Sequence, residues 1–277
     1  MLNNKIDFAV ILSVRNANPN GDPLNGNRPR ESYDGYGEIS DVCLKRKLRN
    51  RWMDMGLSVY VQSEDRATDG CQSLQERVNA VDALKKAGKD RDAFARIACE
   101  QWIDVRSFGQ VFAFKGDDAS VGVRGPVTIQ SAFSVSPVDI DSMQITKSVN
   151  SVTGPKKSSD TMGAKHRVPF GLYVTYGSVN CQLADKTGFD ANDADKLHKA
   201  LKSLFVNDAS SARPDGSMEV VKVYWWVHNC KLGQYSAAKV HRTLHITPKV
   251  DSPHSVDDYE IELTNLDGLG PQIDDGI

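Results

Sequence analysis

The side chains with the most chemical potential lie between positions 16 and 51 of the 277-residue chain. Lys45, Arg46, Lys47, Arg49 and Arg51 crowd one short stretch, and Lys45 with Arg49 and Lys47 with Arg51 are like-charge pairs at i,i+4. Each such pair costs roughly 0.2–0.5 kcal/mol in an isolated helix, so an anionic partner would relieve a built-in repulsion. The plainer reading of the same residues is a solvated helix face whose cations sit toward the negative end of the helix dipole. Ahead of them runs Asn16-Ala17-Asn18-Pro19-Asn20-Gly21-Asp22-Pro23-Leu24-Asn25-Gly26-Asn27. Asn and Gly tolerate positive φ and each Pro fixes its own, so a defined loop of several turns is expected, lined by side-chain amides and backbone N–H groups.

Other chemistries are weaker. The Asn16, Asn18, Asn20, Gly21 spacing imitates the opening of a calcium loop, but neither its first position nor its twelfth, Asn27, is a carboxylate, which a hard dication needs. Gly154-Pro155-Lys156-Lys157 lacks the leading glycine and spacing of a phosphate-binding loop. His241 and His245 are four apart without an evident third ligand, in a segment from 239 to 249 that reads as strand. Cys43, Cys71, Cys99, Cys181 and Cys230 are odd in number and scattered, as reduced core thiols are. No cofactor and no metal is expected.

The elements that must position the loop and the cations are well signalled. Residues 6–14 are rich in β-branched and apolar side chains, which suits a central strand buried on both faces. A helix is expected from the N-cap Ser40, with Asp41 at its positive end, to Met55 with Gly56 beyond it. Leu44, Leu48, Trp52 and Met55 form its buried stripe, which leaves the five cations to share the exposed surface. Residues 57–61 read as a second strand. One helical face through Leu74, Val78, Val81 and Leu84 ends at Gly88, and a second helix begins near Asp90 or Asp92 with Phe94, Ile97, Ala98 and Trp102. Strands are expected at 127–135, 168–179 and 220–227, and a helix from Asp190 with Leu197, Leu201, Leu204 and Phe205 on one side. Between two of those strands, residues 145–167 are polar and rich in Ser, Thr and Gly, a structureless excursion of a length that is uncommon inside a compact domain.

Composition is that of an ordinary soluble globular protein, with 25% charged and 40% hydrophobic residues. No apolar run approaches the ~18 residues of a membrane helix and the N-terminus has no leader pattern, so the expectation is a cytoplasmic protein without membrane contact. The formal net charge of −2 conceals segregation: eight of the 36 acidic residues fall from Asp251 onward, where there is no Lys or Arg, leaving 28 against all 34 cations in the body.

Four spaced runs then resemble one family: Asn18-Pro19-Asn20-Gly21-Asp22-Pro23, Asp41-Val42-Cys43-Leu44-Lys45-Arg46-Lys47-Leu48-Arg49-Asn50, Asp104-Val105-Arg106-Ser107-Phe108-Gly109-Gln110-Val111-Phe112 and Val123-Arg124-Gly125-Pro126-Val127. With Met162-Gly163-Ala164-Lys165-His166 and Lys231-Leu232-Gly233 added, the chain resembles the hand-shaped backbone subunit of CRISPR surveillance complexes, in its type I-C version. The resemblance implies an α+β fold, a ferredoxin-like or RRM-like palm (1–63, 106–138, 168–250) with a helical insertion (64–105), a protruding thumb (139–167) and an acidic tail (251–277). Read alone, the order of elements contains the ferredoxin-like pattern within an α+β chain. The resemblance further implies a non-catalytic subunit that polymerises head to tail along a guide RNA, meets the target DNA strand through that guide, and assembles with repeat-processing, large and small subunits. Its RNA contacts would fall on Asn18, Asn20, Lys45, Arg46, Arg49, Arg106, Ser107, Gln110, Arg124, Lys147, Lys156, Lys165, His166 and Arg167. By itself the run 106–112 only partly matches the RNA-recognition signature, since Ser107 and Gln110 break it. The alternative is an endoribonuclease: His166 between Lys165 and Arg167 as general base on precursor RNA, or Asp22 or Asp34 cutting target RNA, as related subunits do.

Overall fold

Strand β1 (Ile6–Ala17) is buried at every residue from Ile6 to Val14 because it has a neighbour on each edge and a layer on each face. The computed structural model describes residues 1–88, 90–114, 120–149 and 162–277. After β1 come the short β2 (Gly21–Asp22) and β3 (Arg28–Pro29), then β4 (Tyr36–Ile39) and helix α1 (Asp41–Asp54). Helices α2 (Leu74–Asn79), α3 (Asp82–Ala87), α4 (Arg91–Gln101) and α5 (Ile103–Phe108) precede β5 (Gly109–Phe112), β6 (Val121–Arg124), β7 (Val127–Ile129) and β8 (Ala132–Pro137). Strands β9 (Asp141–Thr146) and β10 (Met162–Val179) are followed by α6 (Cys181–Thr187), α7 (Ala191–Lys202), β11 (Met218–Val227), α8 (Ala237–His241), β12 (Leu244–Pro248), β13 (Tyr259–Leu263) and β14 (Gln272–Asp275).

The fold is mixed α and β around one large antiparallel sheet, ordered β14-β11-β1-β10-β8-β4, with β7 and β9 also paired to β10. Side chains alternate across β1, and the two faces meet different partners. Ile6, Phe8, Val10, Leu12 and Val14 join Leu44, Leu48 and Trp52 of α1 and Leu197 and Leu201 of α7 in one core. Ala9 and Ile11 pack instead with Tyr224, Trp226, Val240, Leu244 and Tyr259, so α8 and the β12–β13 hairpin cover the opposite face. A third cluster gathers Tyr60, Val78, Leu84, Trp102 and Phe112 around the helical insertion, with the Tyr60 and Trp102 rings 4.7 Å apart.

Several expectations hold and several are corrected. Ser40 caps α1 by accepting from the Cys43 N–H, and Gly56 takes φ 75°, the left-handed conformation that ends a helix at little cost to glycine. Residues 57–61 are not a strand: the Tyr60 and Val61 amides donate to the Asp104 carboxylate at 2.7 and 3.1 Å, so a side chain takes the place of a ladder. The edge of β10 is taken by β8. The apolar face from Leu74 to Leu84 is two helices, because extended Val81 (φ −99°, ψ 103°) interrupts it. The run 106–112 is half helix and half strand, and the 239–249 segment is α8 followed by β12. The flanks of 145–167 are ordered: β9 pairs with residues 162–167 of β10 in register, Met162 with Thr146 through Arg167 with Asp141. Helix α6 was not expected. His241 is buried with Nε2 3.1 Å from the Gly177 carbonyl, while His245 is exposed on β12. No helix among the described residues is long and apolar enough to cross a membrane.

Candidate nucleic-acid interface

The loop after β1 is shaped by its own asparagines. Asn16 and Asn27 take φ 53° and 59°, left-handed values that Asn tolerates better than other residues with a Cβ. Asn18 is buried and its Nδ2 donates to the Asn27 carbonyl at 2.7 Å, while the Asn20 Oδ1 accepts from both the Ser40 amide (2.9 Å) and its hydroxyl (2.7 Å). These bonds fasten the loop to the N-terminus of α1. A Cβ on Gly21 would meet the Asn27 carboxamide, so a larger residue there requires the Asn27 side chain to move. Asn18 and Asn20 thus build the loop, with buried Pro19 between them.

The cations of α1 do not share an exposed face, and this is the largest departure from the expected arrangement. Lys45 Nζ lies 2.9 Å from Asp41, Arg46 Nη1 donates to the Val61 carbonyl at 2.6 Å, and Arg51 Nε to Ser203 Oγ at 2.7 Å. Arg49 Nε lies 2.8 Å from Asp104, whose side chain is 1% exposed, with the guanidinium over the Phe108 ring. Lys47 is buried against Asp208, and burial pulls its ammonium below the ordinary value while Asp208 pulls it back up. The repulsion between neighbours is therefore answered within the chain. Arg106 is spent in the same way. It clamps Asp193 with Nε at 2.7 Å and Nη2 at 2.9 Å and gives Nη1 to the Cys99 carbonyl at 2.8 Å. Asp193 also completes the capping box of α7, so one carboxylate ties two helices. Ser107 is fully buried, Gln110 folds back onto the Val111 carbonyl, and Arg124 is exposed at the end of β6.

Open cations collect instead where β1 ends, the β2–β3 ribbon turns and the β9–β10 hairpin begins. Arg28 Nη1 donates to Ser142 Oγ at 2.7 Å, and His166 Nδ1 lies 2.9 Å from the same oxygen. Arg30 faces Asp22 at 3.4 Å, Arg167 faces its cross-strand partner Asp141 at 3.5 Å, and exposed Arg15 lies over the Phe170 ring. Lys165, His166 and Arg167 are half-buried there, Lys147 is exposed beyond the hairpin ladder, and Lys156 lies outside the described residues. Arg15, Arg28 and Arg30 escaped the sequence reading. They flank the Asn-rich loop directly, which was the available signal. Asp22 accepts from the Leu24 amide and faces Arg30, and Asp34 is exposed in the turn before β4.

One face of the antiparallel sheet thus lies under helices and the other under α8 and a hairpin, and cations stand at the end of the sheet beside the Asn-rich loop. The chain belongs to the family of the CRISPR-associated protein Cas7, which matches residues 4–264. It is 25% identical over 285 residues to the CRISPR-associated protein Cas7 of Haloferax volcanii, a match covering 95% of this chain and 82% of that one. Among solved structures it is similar in fold to a chain of a CRISPR RNA-guided surveillance complex in its pre-nicking state, with a TM-score of 0.52 and 16% identity over 80% of this chain and 78% of that one.

Proposed function

We propose that this chain is a non-catalytic backbone subunit that coats a CRISPR guide RNA, copy after copy from head to tail, in a type I-C surveillance complex in the cytoplasm. The observation that carries the reading is that Arg15, Arg28 and Arg30 flank the Asn-rich loop, with Arg28 and His166 meeting at Ser142 of the hairpin, in a member of this family. The segment order β11-β1-β10-β8, with α1 after β1 and α7 before β11, supports a ferredoxin-like palm. Because α8 and β12–β13 cover the face on which an RNA-recognition motif stacks bases, the RNA runs at the end of the sheet. Contacts to phosphate leave the bases of the guide free to pair with a target DNA strand. Companion subunits for repeat processing, and large and small subunits, complete the assembly.

RNA binding is then expected to be nearly independent of sequence and to weaken steeply with salt, with a log–log slope of about −0.7 per phosphate contact. Substituting Arg28, Lys45 and Lys165 together by Ala should lower affinity for all sequences alike and flatten that slope by about two. Fluorescence anisotropy over a salt series measures both, and a salt-insensitive affinity overturns the proposal.

Of the groups in the nuclease alternative, His166 lies against Ser142 and Asp22 against Leu24 and Arg30, while Asp34 is exposed in the turn before β4. Purified protein is expected to leave precursor RNA intact with or without magnesium, and His166→Ala or Asp22→Asn to alter binding at most. Site-specific cleavage lost in either variant would install the enzyme in its place.

A further inference from the structure

The ion pairs of the interface fall into two kinds. Asp104 and Asp193, which hold Arg49 and Arg106, are 1% and 5% exposed, so releasing either cation to a phosphate would strand a buried carboxylate. Asp22, Asp41 and Asp141, which face Arg30, Lys45 and Arg167, are 27%, 39% and 50% exposed. Two of these three pairs are long, at 3.4 and 3.5 Å, and the Nε donors of Arg30 and Arg167 find no hydrogen-bond acceptor among the described residues. Released to water, an exposed carboxylate loses little, so these pairs can be exchanged where the buried ones cannot.

The three pairs are also mechanically connected. Arg30 donates its backbone N–H to the Asn20 carbonyl, and the Asn20 side chain holds Ser40, the residue before Asp41. Arg28, two residues before Arg30, holds Ser142, the neighbour of Asp141. One loop thus links all three.

We infer that Asp22, Asp41 and Asp141 are internal competitors of the RNA: in the free chain each occupies a cation, and binding proceeds by replacing carboxylate with phosphate. This rests on the RNA-binding reading and adds a regulation to it. A lone phosphate displacing one carboxylate exchanges one charge contact for another with no net gain. A strand that reaches all three pairs makes its second and third exchanges intramolecularly, at high effective concentration. The carboxylates therefore raise the length of RNA needed for stable binding and keep short oligonucleotides off the interface.

The test is D22N/D41N/D141N, beside a control with the same change in charge, D92N/E100Q/D251N, on α4 and beyond β12. The D22N change retains an acceptor for the Leu24 amide, and D141N alone, on fully exposed β9, gives the same sign at smaller size. Anisotropy is measured with labelled single-stranded RNA of guide length and with a hexamer. The triple variant should bind guide-length RNA about tenfold more tightly than the original chain and gain more on the hexamer, narrowing the length preference, while the control shifts both RNAs by about twofold. If the original chain binds RNA and the two triple variants are equal, the competition is absent and the RNA reading stands. Failure of all three chains to bind RNA removes the reading and the inference together.

Discussion

Arg49→Ala is expected to cost about 3–5 kcal/mol of folding stability, whereas Lys45→Ala, one turn earlier on the same helix, should cost less than about 1 kcal/mol. The difference lies in what each substitution leaves behind. Asp41, the partner of Lys45, is 39% exposed and returns to water. Asp104 is 1% exposed and, among the described residues, keeps the Tyr60 and Val61 amides as hydrogen-bond donors, with Arg46 nearby but its direct ion pair gone. Against a total stability of about 5–15 kcal/mol for an ordinary domain, the loss is large. It should also loosen the insertion, because Asp104 joins α1, the 57–61 segment and α5. Urea denaturation of the two variants side by side is the measurement, and equal small losses would mean that the Arg49 pair is as replaceable as a surface one. RNA affinity measured on Arg49→Ala reports on the fold before it reports on contacts, so it is a poor probe of binding.

The same pair marks the boundary of what the sequence makes legible. Helix α1 is readable because its signals are local: Ser40 and Gly56 fix the ends, and Leu44, Leu48 and Trp52 recur on one face. Helix α7 is readable from Asp190 for the same reason, and β1 from its run of apolar residues, Phe8 to Leu12 above all. Nothing local says that Arg49 meets Asp104, Lys47 meets Asp208 or Arg106 meets Asp193, since those partners arrive from distant segments. A cation off the apolar stripe looks solvated until the fold is closed. The residues 57–61 fail in the opposite direction. Their Val and Tyr content fits a half-buried pleated surface, but strand propensity expresses packing more than backbone preference, and here the buried cores and a carboxylate satisfy Val59 and Tyr60 without a sheet. What the sequence left unread is the partners of the candidate side chains, such as Asp104 for Arg49 and Asp193 for Arg106. Asn18 and Asn20 shape the loop through bonds to Asn27 and Ser40, and Arg15, Arg28 and Arg30 beside it carry no motif that would single them out.

Replacing residues 143–165 with a short Gly/Ser linker should leave a folded palm and abolish cooperative coating of guide-length RNA. The described flanks of this segment justify the first half. All six residues of β9 are exposed, so their removal takes little from any core, whereas Val168 and the rest of β10, which pair with β1, remain. The second half follows from what the hairpin presents. Met143, Ile145 and Met162 are 37%, 48% and 62% exposed, on a two-stranded ladder of a kind that is marginal in water unless something packs on it. A copy that reaches its neighbour through such an arm makes a heterologous contact, open-ended and limited only by the length of the RNA. Each subunit then gains avidity from the next, a factor on the order of 10²–10⁴ that disappears with the arm. One subunit on a short RNA should lose only a few-fold in affinity, chiefly from Lys165. Assembly size on long RNA, measured for the same variant by analytical ultracentrifugation, should fall from filaments to scattered single subunits. Filaments of normal length from the shortened chain would place the contact between copies on another surface, the exposed faces of the helical insertion being the next to test.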